Sequence, residues 1–206
     1  MAGSGRRLPQ VAASALYSTL RYLLFMVILS STAAILGYTR STGDFGSVGV
    51  MVRGVEDLAV SIRPMPLIGQ VAAVFMHNMR VIVILLGVSW FPVLPVLAVT
   101  IMNSIMIGAM IKATSAATGI APITVAVGLL PHGIFELGAF FIGAAACLRI
   151  GMLMPLWVGK KVDGPYIKKA ATDAFVLFFM IVVPLMLLAS LIEVTFSSWL
   201  AEVLAR

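Results

Sequence analysis

Long apolar tracts separated by short polar connections run the length of this chain, and that pattern predicts helices that cross a membrane. At 1.5 Å per residue, about 20 residues span a hydrocarbon core of ~30 Å. Residues 19–38 form the first such tract. The apolar stretch from Ile68 to Ala113 is too long for one crossing. SWFPVLP, with Pro92 and Pro95, divides it into spans at about 68–90 and 94–113. SAATG reads as a short loop after the third span. Residues 133–157 make a fourth span and residues 174–192 a fifth, with Pro184 a tolerated kink. Residues 196–206 read as a short amphipathic tail.

Residues 44–63 have a different rhythm. Val48, Met51, Val52, Val55, Leu58, Ala59 and Ile62 recur at helical spacing, with Arg53, Glu56, Asp57 and Ser61 on the other side. This predicts a helix at about 46–63 lying in the interface, ended by Pro64 and Pro66. The expected architecture is all-α: a single polytopic domain over residues 1–206, with five spans and this interfacial helix.

GLLPHGIFEL, residues 128–137, interrupts the apolar pattern where polarity is most costly. Pro131 has no amide proton and pushes Leu130 away from helical angles, so a helix entering from Val127 should break and restart here. The dozen residues ahead of it would give only ~18 Å of helix, which predicts a short oblique helix at about 120–130. With Pro131 in the first turn of the new helix, His132 and Glu136 fall at i and i+4 on one face. The positive end of the helix dipole favours the glutamate there.

Composition narrows the class. The 206 residues are 61% hydrophobic and only 11% charged, so an integral membrane protein is indicated and a soluble domain is not. Lys and Arg exceed Asp and Glu by +6, and the placement of the excess reads as topology. Arg6, Arg7 and Arg21 near the N-terminus, and Lys160, Lys161, Lys168 and Lys169 before the fifth span, put both regions in the cytoplasm. Arg40, Arg53 and Arg63 then fall outside. The expected location is the plasma membrane, multi-pass, with the N-terminus cytoplasmic and MAGSGRRLPQ kept in the mature protein. No nucleic-acid footprint is visible. Cys147 is the single cysteine, lies in an apolar run and reads as a core residue.

The polar residues within spans are the candidate chemistry, because ionisable groups at membrane depth face the protein interior and pair. They are His77, Asn78, Arg80, Asn103, His132, Gly133 and Glu136. His132 with Glu136 fits a structural hydrogen-bonded pair, a proton relay or two ligands of a metal, the structural pair being preferred. His77 would be a third metal ligand, with Asn78 or Asn103 as oxygen donors. The HExxH spacing is missing, however, so no metal and no cofactor is assigned. Asn78 and Asn103 read as links between helices. Gly87, Gly108, Gly138 and Gly143 read as points of close approach. Arg149 is expected to snorkel to the interface. Arg80, mid-span, requires an anion, and Glu136 is the expected one. No nucleophile elbow and no phosphate-binding glycine motif is present, so catalysis is not expected.

FMHNMR at Phe75–Arg80, Asn103 with Gly108, and LLPHGIFELGAFFIGAAACLRIG at Leu129–Gly151 together resemble the stage II sporulation protein M family. The resemblance covers about residues 75–151 and is most specific at the PHGxxE core. The family often has Asn-Gly where this chain has Asn103-Ser104. The resemblance implies membership of a membrane complex, since the sporulation protein acts in engulfment beside a peptidoglycan-degrading partner. It supplies no catalytic assignment, and fold alone does not give one.

These readings converge on a non-enzymatic membrane scaffold or complex subunit that self-associates in the bilayer and contacts other membrane or cell-envelope proteins. A channel or transporter using a polar cavity is the alternative. A metal-dependent intramembrane hydrolase built on His77, His132 and Glu136 is the third.

Overall fold

The computed structural model describes residues 8–41, 57 and 60–204, without the side chains of His132 and residues 196–204. Its elements are α1 (Leu8–Arg40), α2 (Leu67–Val88), α3 (Leu94–Thr118), α4 (Pro122–Gly128), α5 (Leu130–Val158), α6 (Gly164–Leu177), a π turn (Phe178–Val182) and α7 (Val183–Leu204), with no strand among the described residues. Among the described residues five apolar stretches are long enough to cross a membrane: Leu8–Arg40, Leu67–Val88, Leu94–Thr118, Gly133–Val158 and Gly164–Thr195. Most of the expected interfacial helix, residues 42–56, 58 and 59, lies outside the described residues.

Prolines set the helix starts. Pro95, Pro122, Pro131 and Pro165 each occupy the first turn of α3, α4, α5 and α6, where a missing N–H costs nothing. The break expected at Pro131 is present, with Leu129 in the turn between α4 and α5. Several boundaries differ from the sequence reading. The SAATG loop is in fact helical through Thr118, and α3 stops only at Gly119, whose φ of 70° suits a residue without a Cβ. The first and fifth spans extend well beyond 19–38 and 174–192, and the C-terminal tail continues α7 through Leu204. A hydropathy window sees the apolar centre of a helix and misses its polar ends, which remain hydrogen-bonded helix.

α5 is the central element. Its apolar stretch is 56% buried inside the chain, against 28% or less for the others. Ala139, Ala144, Ala145, Ala146 and Cys147 let neighbours approach it from several sides. Tyr22 and Met26 of α1, Met79, Ile82 and Leu85 of α2, Val96 of α3, and Val182 and Met186 pack around its first half. Ala15, Ile167, Ala170, Ala174 and Leu177 pack on its second. Gly143 meets the Ile82 side chain at 3.3 Å from where its Cβ would be, while Gly87 and Gly138 have nothing within 4 Å and are not approach points.

The tightest seam joins α1 to α3. A Cβ on Gly108 would overlap the Ala34 carbonyl and lie 2.8 Å from Tyr38 N; one on Gly37 would overlap the Ile105 carbonyl. Backbone thus rests on backbone, the close approach that small residues permit between membrane helices. Past this crossing, Lys112 Nζ donates a hydrogen bond to the Ser41 carbonyl.

Within the fifth span the Val183 N–H bonds to the Phe178 carbonyl, an i to i+5 link that inserts one residue into the helical turn. Pro184 follows at once. The kink expected at this proline is therefore accompanied by a local widening just before it.

Candidate functional site

A cavity of about 270 Å³ lies between α2, α3, α5 and α7. His77 and Asn78 reach it from α2, Asn103 from α3, Gly133 and Glu136 from α5, and Glu193 from α7. Met106, Met110, Met186 and Phe140 supply much of the remaining wall, and Ile62 and Leu129 mark the end nearest the α4–α5 junction. No residue of α1 lines it.

The helical repeat explains the selection. Val71, Val74, Ile82 and Leu85 form the buried face of α2. Asn78 lies in the middle of that face and His77 at its edge, at about 100° per residue. Arg80 lies about 200° around from Asn78, is exposed, and is absent from the cavity wall. The expected Arg80–Glu136 pair is corrected accordingly: among the described residues Arg80 makes no ion pair, and it does not line the cavity that Glu136 faces. Long charged side chains can turn outward and extend toward headgroups, which is the course open to Arg80.

Glu136 does face inward. The pairing expected with His132 rests on a side chain outside the described set, but Glu136 shares the cavity with a second carboxylate, Glu193, close enough for the two charges to repel. Sequence reading missed Glu193 because it fell beyond the fifth apolar tract. A signal was present in the spacing. Met186, Ala189, Ser190 and Glu193 recur at i, i+3, i+4 and i+7, and the first three are fully buried, so the glutamate shares their stripe.

Asn78 and Asn103 do not link helices as expected. Among the described residues neither makes a hydrogen bond, and both line the cavity instead. Ser104, where the family often has glycine, is buried and donates a hydrogen bond to the Thr100 carbonyl at 2.8 Å. The close helix contact falls one turn later, at Gly108.

The opposite end of α5 carries an ionic cluster. Arg149 Nη1 meets Asp173 Oδ2 at 2.7 Å, and Lys169 Nζ meets the same oxygen at 2.8 Å. Ser18 of α1 donates to Asp173 at 3.0 Å and accepts from Arg149 at 2.7 Å. The Arg149 side chain is only 12% exposed, so it turns inward and pairs, where snorkelling was expected. Asp173 was the missing partner, hidden by its place beside the basic loop. The cluster joins α1, α5 and α6 at the end of the bundle away from the cavity.

Among the described residues no three or more His, Cys, Asp or Glu gather as a metal would require.

The pattern of polar positions can now be compared with known proteins. The family model for stage II sporulation protein M matches residues 45–198, a stretch that includes every cavity-lining polar residue named above. The chain belongs to the stage II sporulation protein M family. No curated protein and no solved structure matches it. Membership agrees with the helical membrane fold and extends the likeness beyond residues 75–151, to α7 and Glu193.

Proposed function

We propose that this chain is a non-enzymatic protein of the plasma membrane that admits a small polar solute into the cavity between α2, α3, α5 and α7, acting as a channel or carrier. The observation that supports this is the convergence of His77, Asn78, Asn103, Glu136 and Glu193, from three helices besides α5, on one space. Among the described residues no side chain of these five makes a hydrogen bond. Half-buried polar side chains that face one space within the bundle, without a protein partner, point to water or a ligand as their complement. A bundle built only for cohesion would pair these groups with one another.

The basic N-terminal region and the lysine-rich loop before α6 meet at one end of the bundle, as the Ser18–Asp173 contact requires. That end is the cytoplasmic one under the positive-inside tendency, and the cavity then opens toward the outer half of the membrane. Family membership supports a second reading, that of a subunit in a cell-envelope complex.

Flux into liposomes containing the purified chain separates the two. Saturable passage of small polar solutes above empty vesicles is expected, and replacing Asn78 and Asn103 with leucine should reduce it. Folded protein that passes and accumulates nothing would leave the complex-subunit reading in its place.

A further inference from the structure

We infer that the solute this cavity takes is a small organic ammonium ion, an inference that rests on reading the cavity as a binding site. Among the described residues its wall holds two carboxylates, Glu136 and Glu193, and neither Lys nor Arg. The nearby cation, Arg80, is exposed and is not part of the wall, although its charge is felt at His77. Two acids in one low-dielectric space stay ionised only beside a countercharge, and no Lys or Arg of the described wall supplies one.

The remaining chemistry selects among cations. An inorganic cation would be met by the acids and amides alone and would leave the apolar remainder of the wall unmatched. The wall offers a polar side, with Asn78 and Asn103 beside the acids, and a broad apolar side containing Met106, Met110 and Phe140. An ammonium head would donate hydrogen bonds to the carboxylates and to the amide oxygens. A short hydrocarbon body would lie along the thioethers and the aromatic ring, which accept irregular apolar shapes and cationic neighbours. A space of about 270 Å³ suits a short-chain or single-ring amine.

The test uses the full chain in detergent and three isosteric probes: phenethylammonium, the neutral alcohol 2-phenylethanol, and the anion phenylacetate. Binding is read by titration calorimetry. Saturable binding of the ammonium is expected, weakened more than about tenfold for the alcohol and absent for the anion. Glu136→Gln and Glu193→Gln should each weaken ammonium binding by more than about tenfold and alcohol binding by much less, because the charged head loses an ion pair where the alcohol loses a hydrogen bond. Asp163→Asn, a carboxylate loss outside the cavity, should change neither. Equal binding of alcohol and ammonium by the wild-type chain would overturn the charge assignment and keep the cavity as a solute site. Absence of binding by all three, with the helical circular dichroism intact, would remove the solute reading as well. The wild-type comparison decides the matter even if a glutamine variant fails to fold.

Discussion

At the scale of single residues, the same chemical group has opposite worth at different depths of this bundle. Asp173 is nearly buried and receives Arg149, Lys169 and Ser18 together, so it anchors three helices. Asp173→Asn is expected to destabilise the detergent-solubilised protein by about 3 kcal/mol, because Arg149 would be left buried without its anion. Lys169→Gln should cost less than about 1 kcal/mol, its side chain being 55% exposed. Thermal melting of the two variants side by side checks the ranking. Ser30 makes the converse case: its buried hydroxyl has no partner among the described residues. Ser30→Ala should leave the melting temperature unchanged or raise it, since an unsatisfied polar atom is removed at little cost in volume. Gly37→Val should lower it by the equivalent of about 2 kcal/mol or more, because the obstruction is the Ile105 backbone and not a movable side chain.

At the scale of elements, hydropathy and prolines carried most of the information. The division at Pro92 and Pro95 and the restart at Pro131 were legible because proline fixes a local geometry that no packing can override. Helix ends were less legible: residues 115–118 and 164–173 are polar enough to resemble loop, yet their backbone hydrogen bonds continue. The π turn had no sequence signature beyond the nearby Pro184, since an inserted residue is visible only once both flanks are packed. A π turn holds one residue more than the regular helix needs. Deleting Met180, which is exposed, should therefore restore regular helix with both flanks in register and shift the melting temperature by only a few degrees. Deleting Leu187, equally exposed, should rotate everything beyond it by about 100° and abolish the fold, as size-exclusion chromatography would show.

At the scale of the molecule, polar residues divide between two ends about 20 Å apart, as Glu136 and Arg149 on α5 show. The sequence located Glu136, Asn78, Asn103 and His77 but not their common destination, because which faces of α2, α3 and α7 meet α5 depends on long-range packing. It assigned Arg80 to the interior for the same reason: mid-span position gives depth, while direction needs the neighbouring helices. In a Cys147→Ala background, single cysteines at Lys161 and Gly5 should react with an impermeant maleimide only after the cells are opened, and one at Pro122 before. Reaction of all three in intact cells would overturn the proposed orientation. Because α1 is fused to α3 by backbone contact and contributes nothing to the cavity wall, these two form a fixed post. If the cavity admits a solute as proposed, its widening falls to α2 and to α7, which the π turn precedes. The upper part of the fifth span could swing there without straining the Asp173 anchor below it, giving the chain a stationary half and a travelling half within a single layer of membrane.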